Sequence, residues 1–219
     1  MFLDVQDDFL IREFHPSDFK KLVYIADAIN RQASLKEGFK PFYAFQVDTA
    51  SLSYQDELEK KVHAFLEKAI LEKHATPRST YRLALCNKDN ELIGNITVDD
   101  LPSYDSNGNQ VQGDIGYFIN PENGRNGLMS KALSRVLEVY FRTHDEMDLT
   151  IHPSNFYSLK MMQRFNAKIV GFKGASGYNG EPRLILKLTK DDFLLSRKPR
   201  LICSQKVVLE TDTQRIKDV

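Results

Sequence analysis

A loop rich in asparagine and glycine, residues 120–127 (NPENGRNG), is followed by a segment with the apolar spacing of a helix. A glycine-rich loop that opens a helix turns backbone N–H groups and the positive end of the helix dipole toward one point, which suits a phosphate. Gly124 and Gly127 allow close approach of such an anion because they carry no Cβ. The loop has neither a GxGxxG nor a GxxxxGKS/T pattern, so a dinucleotide fold and a Walker loop are not supported. It predicts an anion site, with a plain strand–helix turn as the alternative.

The charges around this loop are segregated along the chain. From residue 89 to residue 124 there are seven acids and no Lys or Arg, and from residue 149 to residue 180 there are four bases and no acid. The acids are Asp89, Glu91, Asp99, Asp100, Asp105, Asp114 and Glu122, and the bases are Lys160, Arg164, Lys168 and Lys173. An acidic surface suits a cationic amine and a basic surface suits nucleotide phosphates, with ordinary solvated faces as the alternative.

The elements that must position these residues follow from hydrophobic periodicity and turn signals. The sequence predicts the order β-α-α-β-β-β-α-β-α-β-β. Its strands are expected at residues 9–14, 80–86, 92–98, 114–119, 147–151, 169–177 and 183–188. Its helices are expected after Ser17 or Asp18, after Ser53, from residue 128 and at residues 155–165. Because strands alternate with helices beside hairpins, we expect an α/β or α+β layer in which helices pack on a mixed sheet.

Two segments carry a resemblance to a known family. Residues 114–133 read DIGYFINPENGRNGLMSKAL, and residues 155–172 read NFYSLKMMQRFNAKIVGF. In order and spacing they resemble the GNAT N-acetyltransferase superfamily, and within it the RimJ/RimL-type branch that acetylates ribosomal-protein N-termini. The resemblance covers most of residues 9–193.

The resemblance implies a fold and a division of the chain. The expected fold is an α/β (α+β) GNAT fold whose mixed, mostly antiparallel central sheet has about seven strands. Helices flank this sheet, and two central parallel strands splay apart in a V shape. Residues 1–193 would form the acetyltransferase domain. Residues 194–219 would form a C-terminal extension with a frayed end and one more possible strand, Leu201 to Leu209.

The resemblance also implies acetyl-CoA as the co-substrate, and no metal. The pantetheine would lie between strands 114–119 and 147–151, beside backbone groups of Phe118 and Ile119, and would hydrogen-bond to Asn155. For Asn155 a simple helix cap is the alternative. The pyrophosphate would bind backbone N–H groups at the start of the helix after the loop. These groups belong to Arg125, Asn126, Gly127, Leu128, Met129 and Ser130.

Acetyl transfer to an amine requires a neutral amine, a polarised carbonyl and a stabilised thiolate. Asp114 stands where relatives carry an acidic base, so we expect it to take the proton of the amine. Asp99 and Asp100 are the alternative bases, and a solvent-facing strand start is the plain interpretation of Asp114. Ser158 is the expected acid for the thiolate, with Tyr157 as the alternative hydroxyl.

Two positions depart from the family pattern. Gly124 stands where the family usually has Gln or Arg, although Arg125 is adjacent and could serve the phosphates. Met162 stands where a tyrosine often protonates the thiolate elsewhere in the superfamily, and a thioether cannot donate a proton. Both departures support a rival hypothesis, a non-catalytic GNAT-like module that binds acyl-CoA.

Composition and charge exclude several other classes. The chain has 219 residues with 30 Lys plus Arg against 30 Asp plus Glu, and a zero net charge argues against a nucleic-acid-binding protein. No basic leader opens the sequence and no apolar run reaches about 18 residues, so we expect a cytoplasmic protein that does not bind a membrane. Cys86, Cys203 and the five histidines have no metal-ligand spacing, and the thiols are expected to be reduced.

The leading hypothesis is an acetyl-CoA-dependent N-acetyltransferase that acts by direct attack of a primary amine on the thioester. The amine could belong to a protein N-terminus, a polyamine or an aminoglycoside-like molecule, because all are cationic. A phosphate-binding structural domain without CoA is a third hypothesis. A homodimer is also expected to be possible, through an added strand such as residues 201–209.

Overall fold

The computed structural model describes residues 3–5, 9–35, 45–99, 103–104, 110–111, 114–174 and 182–197. The strands are β1 (Leu3–Val5), β2 (Phe9–Glu13), β3 (Thr80–Asn87), β4 (Leu92–Asp99), β5 (Ser103–Tyr104), β6 (Gln110–Val111), β7 (Asp114–Ile119), β8 (Glu146–Ile151), β9 (Lys168–Lys173) and β10 (Arg183–Thr189). The helices are α1 (Phe19–Ser34), α2 (Tyr54–Lys73), α3 (Leu128–Tyr140), α4 (Phe156–Arg164) and α5 (Lys190–Ser196). The predicted element order is confirmed, and β1, β5, β6 and α5 are additions to it.

The strands form two main sheets that meet at a gap. The strands β1, β2, β3, β4 and β7 form a five-stranded antiparallel sheet in this order, and β8, β10 and β9 form a three-stranded antiparallel sheet. β7 and β8, which α3 connects, are neighbours but share no hydrogen-bonded ladder in the described residues. The expected GNAT fold with its splay is therefore confirmed. The single sheet of about seven strands is divided into two, because β7 and β8 diverge.

Helices cover both faces of this layer and divide the core in two. Along β3, Leu85 belongs to the core cluster beneath α3, which includes Leu133, and Cys86 belongs to the cluster beneath α1 and α2. Because successive side chains of a strand point to opposite faces, the two clusters lie on opposite sides of the sheet. α3 can pack against one face of the sheet because its apolar residues recur at helical spacing and so lie on one side of the helix. Its buried residues are Met129, Ala132, Leu133, Val136, Leu137 and Tyr140.

The first two helix caps differ from the sequence prediction. Asp18 precedes α1, but its carboxylate accepts the backbone N–H of His15 at 2.8 Å and pairs with Arg12 at 2.8 Å instead of capping the helix. Ser53 precedes α2, but its hydroxyl donates to the carboxylate of Glu57 and makes no cap hydrogen bond. In both cases the side chain bonds to a nearby polar partner instead of to a backbone N–H group of the helix.

The end of the described chain contains a helix that the sequence analysis did not predict. α5 runs from Lys190 to Ser196, so the predicted domain boundary after residue 193 falls inside it. Phe193 is 1% exposed and packs in the core. The predicted strand 201–209 and Cys203 lie outside the described residues. In the described ranges, none of the helices is long and apolar enough to cross a bilayer.

Candidate active site

The gap between β7 and β8 opens into a pocket of about 90 Å³. Residues 114–117 of β7 and residues 149–152 at the end of β8 form two of its walls. The other lining residues are Asn155, Ser158 and Met162 from the α4 region and Arg183 from β10. The structure thus brings together Asp114, Asn155 and Ser158, three of the residues that the sequence predicts for the site.

Asp114 lies at the start of β7, across the ladder from Asp99 of β4. The pKa of its carboxyl is raised to about 7, mainly by burial, and the nearby Asp99 and Asp148 act in the same direction. The backbone N–H of Ile115 donates to Oδ1 at 2.7 Å, and this bond and the charge of Arg183 oppose the rise. The resulting pKa means that the Asp114 side chain can gain and lose a proton near neutral pH.

The two alternative bases are placed differently from Asp114. Asp99 accepts a hydrogen bond from the Thr80 hydroxyl at 2.9 Å, and it does not line the pocket. Asp100 lies outside the described residues. Among the described acids, Asp114 is the one that lines the pocket.

Asn155 caps α4 and also faces the pocket. Its Oδ1 accepts the backbone N–H of Ser158 at 3.2 Å, so the alternative interpretation as a helix cap is correct for the oxygen. The Nδ2 group makes no hydrogen bond within the described part of the chain, and it is a donor that a ligand in the gap could use. Capping and ligand binding are therefore compatible in this side chain.

Tyr117 is a pocket residue that the sequence analysis missed. Its hydroxyl is buried and has no hydrogen bond of ordinary geometry with the described residues, while Ser158 lies beside it. Burial raises the pKa of the phenol to about 12, and Ser158 opposes this rise. By contrast, Tyr157, the predicted alternative to Ser158, is 64% exposed and does not line the pocket. Met162, at the position of the usual tyrosine, is fully buried against the pocket.

Strand geometry explains why Tyr117 was missed. Asp114 and Tyr117 are three residues apart on β7, and side chains at odd spacing point to opposite faces of a strand. Both line the pocket because the pocket lies at the edge of β7, where side chains from either face can reach it. The signal in the sequence was the DIGY segment itself, in which the tyrosine follows the expected base.

Two further pocket residues come from neighbouring segments. Arg183, which the sequence analysis missed, is 5% exposed at the start of β10. His152 follows β8, and its Nδ1 accepts the backbone N–H of Ser154 at 3.1 Å, which places the proton of the neutral ring on Nε2. Both residues line the pocket together with the end of β8. In the described ranges there is no cluster of three or more His, Cys, Asp or Glu suited to a metal ion.

The loop after β7 has the backbone shape of an anion site. Arg125 has φ 68° and Gly127 has φ 80°, and Asn126 between them does not have a positive φ. Such alternation directs successive N–H groups to one side. The N–H of Leu128 is occupied, because Oδ1 of Asn126 accepts it at 3.1 Å. The first helical bond runs from the N–H of Lys131 to the carbonyl of Gly127 at 3.0 Å, so the N–H groups of Met129 and Ser130 make no bond within the helix, as at other helix starts.

The loop is held in place from both sides. Asn120 is 1% exposed, and its backbone N–H donates to the carbonyl of Ile93 in β4 at 2.7 Å. The hydroxyl of Tyr24 in α1 donates to the carboxylate of Glu122 at 2.7 Å. Phe118 and Ile119, expected beside the pantetheine, end β7 directly before this loop and do not line the pocket. The loop and the pocket thus lie at two ends of the same strand.

Comparison with known proteins gives a family match. A family model for the acetyltransferase (GNAT) domain matches residues 8–168, which is more than half of the chain. None of the curated proteins matches the sequence significantly.

Solved structures of acetyltransferases have a similar fold. RimJ from Mycobacterium smegmatis, in complex with CoA-disulfide, is 15% identical with a TM-score of 0.62, over 84% of this chain and 83% of that chain. A ribosomal-protein-S5-alanine acetyltransferase from Vibrio fischeri is 16% identical with a TM-score of 0.57, over 88% of this chain and 98% of that one. The microcin C7 self-immunity acetyltransferase MccE, in complex with acetyl-CoA and AMP, is 11% identical with a TM-score of 0.60, over 84% and 93%.

Proposed function

The chain belongs to the GNAT acetyltransferase family, and from this premise we propose that it transfers the acetyl group of acetyl-CoA to a primary amine by direct attack on the thioester. The observation that supports this proposal best is the pocket between β7 and β8, where the pKa of Asp114 is about 7. A carboxyl group with such a pKa is partly ionised at neutral pH and can accept a proton from an ammonium group.

Asp114 is the proposed base. It removes a proton from the ammonium form of the acceptor, directly or through a water, and the neutral nitrogen attacks the carbonyl carbon of the thioester. The carbon–nitrogen bond forms, the nitrogen releases its second proton to solvent, the carbon–sulfur bond breaks, and the departing thiolate takes up a proton. Asp99 and Asp148 lie close enough to Asp114 to affect its ionisation. Because these acids give the region a negative potential, they also favour the binding of a cationic acceptor.

Acetyl-CoA is proposed to bind along β7. Its phosphates would bind the loop 120–127 and the first turn of α3, where the side chain of Arg125 is exposed. Its pantetheine would lie in the gap beside Phe118 and Ile119, with Nδ2 of Asn155 as a donor to one of its amide carbonyls. This path would bring the thioester into the pocket beside Asp114.

Ser158 is proposed to act on the thiolate side of the reaction. Its side chain lines the pocket, whereas Tyr157, the alternative hydroxyl, is exposed outside it. Ser158 also lies in the first turn of α4, and its backbone N–H is fixed by Asn155. This bond holds Ser158 next to the proposed pantetheine site.

A protein N-terminus is the acceptor that we favour, and a small cationic amine is the alternative. The ribosomal-protein-S5-alanine acetyltransferase from Vibrio fischeri has a similar fold. An α-amino group has an ordinary pKa of about 7.7–8.0, so a base with a pKa near 7 can deprotonate it with little loss of driving force. A polyamine, with amines near the pKa of lysine (about 10.4), is less well matched.

The test is thiol release from acetyl-CoA in the presence of a panel of amines. The panel contains a peptide with a free N-terminal alanine, the same peptide with its N-terminus acetylated as the matched control, a polyamine and an aminoglycoside. We expect thiol release with the free peptide and none with its acetylated form. If only the polyamine or the aminoglycoside gives thiol release, the proposed acetyl transfer is correct but a protein N-terminus is not the acceptor.

The same experiment tests the rival hypothesis of a non-catalytic acyl-CoA-binding module. That hypothesis is supported by Met162, which cannot supply the proton of the usual tyrosine. It predicts that CoA raises the melting temperature while none of the amines releases thiol. If CoA does not raise the melting temperature either, both hypotheses are wrong.

A further inference from the structure

We propose that the hydroxyl of Tyr117 donates the proton that the CoA sulfur takes up as it leaves, and that Ser158 stabilises the phenolate that results. This assignment rests on the proposed function and adds a catalytic residue to it. It also supplies the acid that Met162, in place of the usual tyrosine, cannot provide.

The position of the Tyr117 hydroxyl carries this inference. Its oxygen is buried and makes no hydrogen bond of ordinary geometry with the described residues. A buried hydroxyl without a hydrogen-bond partner is destabilising, so proteins rarely keep one unless another group uses it. Because Tyr117 lines the pocket in the gap, that group can be the sulfur of a bound thioester.

The protonation state of Tyr117 also fits a proton donor. Burial raises the pKa of its phenol to about 12, so the hydroxyl keeps its proton throughout the neutral range. Ser158 acts in the opposite direction and favours the ionised form. In the ground state Tyr117 is therefore protonated, and after proton transfer Ser158 can donate its own hydroxyl hydrogen to the phenolate oxygen.

Tyr117 is a better acid for this step than the other candidates. Even with its pKa raised to about 12, the phenol of Tyr117 is a stronger acid than an aliphatic hydroxyl. An aliphatic hydroxyl such as that of Ser158 ionises far less readily. Tyr157 is 64% exposed and lies outside the pocket.

The protons balance over one turnover. The ammonium form of the acceptor loses one proton to Asp114, its nitrogen loses a second proton to solvent once it has attacked the carbonyl, and the sulfur gains one from Tyr117. The carbon–sulfur bond breaks with its electron pair on sulfur, and the products are the acetylated amine and CoA thiol. Solvent then returns a proton to Tyr117 and removes one from Asp114, so both side chains begin the next cycle in their original states and each acetylated ammonium group releases one proton overall.

The test compares Tyr117→Phe with the matched control Tyr157→Phe, using acetyl-CoA and its selenium analogue as donors. The selenolate is a much weaker base than the thiolate, so it needs little help from an acid. With acetyl-CoA we expect Tyr117→Phe to lower kcat by about 10²-fold or more with KM for acetyl-CoA within about twofold. With the selenium donor we expect a loss below about tenfold. Tyr157→Phe should match the wild type with both donors.

Three results would overturn the assignment. One is a Tyr117→Phe variant with the kcat of the wild type, and another is an equal loss with both donors. The third is a Ser158→Ala variant that is far more impaired than Tyr117→Phe, which would make Ser158 the acid. We expect Ser158→Ala to lose less activity than Tyr117→Phe, and its loss should also shrink with the selenium donor, so this variant tests the inference if Tyr117→Phe fails to fold.

The experiments distinguish an error in the proposed function from an error in the role of Tyr117. If the wild type releases no thiol with any amine, the acetyltransferase proposal itself is wrong. If the wild type is active and binds CoA, and Tyr117→Phe is equally active, only the role of Tyr117 is wrong. A thermal shift with CoA, measured for each variant, shows whether the fold and the cofactor site are intact.

Discussion

The carboxyl group of Asp114 is buried at the start of β7, and burial raises its pKa from the ordinary 3.8 to about 7. Asp99 and Asp148 act in the same direction, whereas Arg183 and the N–H of Ile115 oppose the rise. A general base is most effective when its pKa lies near the working pH. The same rise costs folding free energy at neutral pH, because the folded state holds a proton that the unfolded chain has released.

We predict that Asp114→Asn lowers kcat/KM by about 10²–10⁴-fold, because an amide cannot accept the proton of the amine. The wild-type rate should rise as the pH increases through about 7, since the base must be ionised. In the variant this inflection should be absent, and only the ionisation of the amine should remain. Rates measured across the neutral range with a free-N-terminus peptide check this, and a variant that keeps the inflection near 7 contradicts the assignment.

We also predict that Asp114→Asn stabilises the free protein at alkaline pH. A folded pKa above the unfolded one contributes stability that is complete below about pH 4 and is lost as the pH rises through about 7. An amide stays neutral, so the difference in free energy of unfolding between variant and wild type should grow in favour of the variant over this range. Urea unfolding at about pH 5 and about pH 8 measures it. The exposed Asp89 gives the control, and Asp89→Asn should show no such trend.

At the scale of elements, the divergence of β7 and β8 creates the pocket of the candidate active site. β7 pairs with β4 on one edge only, and its other edge faces the pocket. The close approach of β4 to β7 depends on Gly94, because a Cβ there would lie 2.5 Å from the carbonyl oxygen of Phe118. That oxygen belongs to the backbone and cannot move without shifting the end of β7 and the loop that follows.

We predict that Gly94→Ala destabilises the protein by about 1–3 kcal/mol, as other overpacked positions do. In a chain of this size each kcal/mol corresponds to about 2–4 °C in melting temperature. The variant should also bind CoA more weakly, because the shift reaches the loop 120–127. Gly116 of β7 has open space at its Cβ position, so Gly116→Ala is the stability control and should not lower the melting temperature. Equal melting temperatures for Gly94→Ala and the wild type would contradict this account.

At the scale of the whole molecule, α5 ties the three-stranded sheet to the helices around it. Phe193 packs against Phe141 at the end of α3, with ring centroids 5.4 Å apart, and against Phe165 at the end of α4, 5.9 Å apart. Asn166, which follows α4, donates to the backbone carbonyl of Asp192 at 3.0 Å. These contacts connect α3, α4 and α5 around β8 and β10, the strands that form one side of the gap.

We predict that Phe193→Ala lowers the free energy of unfolding by about 3–5 kcal/mol, because it leaves a cavity in this cluster. The neighbouring Leu194 is 49% exposed, and Leu194→Ala should change the stability by less than about 1 kcal/mol. Denaturant unfolding of both variants makes the comparison. Similar losses for the two variants would show that α5 is not part of the core. The homodimer and the role of residues 194–219 stay predictions.

Part of the acidic run seen in the sequence lies beside the pocket in the folded protein. Asp99, from the acidic run, and Asp148, from β8, both act on the charge of Asp114 at the start of β7. Asp100 and Asp105, from the same acidic run, lie outside the described residues. The zero net charge of the chain is therefore compatible with a negative environment for an amine beside the pocket.

The sequence by itself determined the order of the elements, the turn at residues 120–127 and the positions of Asp114, Asn155 and Ser158 relative to them. These features depend on short-range spacing and turn chemistry, which a single segment of chain contains. The motif spacing was enough to identify the family. The same local rules predicted side-chain caps at Asp18 and Ser53 that do not form, because the Asp18 carboxylate accepts the backbone N–H of His15 and the Ser53 hydroxyl donates to Glu57 within α2.

Only the tertiary structure decided which side chains meet in the gap and what their pKa values are. Tyr117 and Arg183 line the pocket because it opens between β7 and β8 where β10 begins, and local spacing alone does not specify that these segments meet. The pKa of Asp114 depends on burial by residues distant in sequence and on the charges of Asp99, Asp148 and Arg183. Desolvation and Coulomb interactions act through space between segments far apart along the chain, so local spacing cannot predict them.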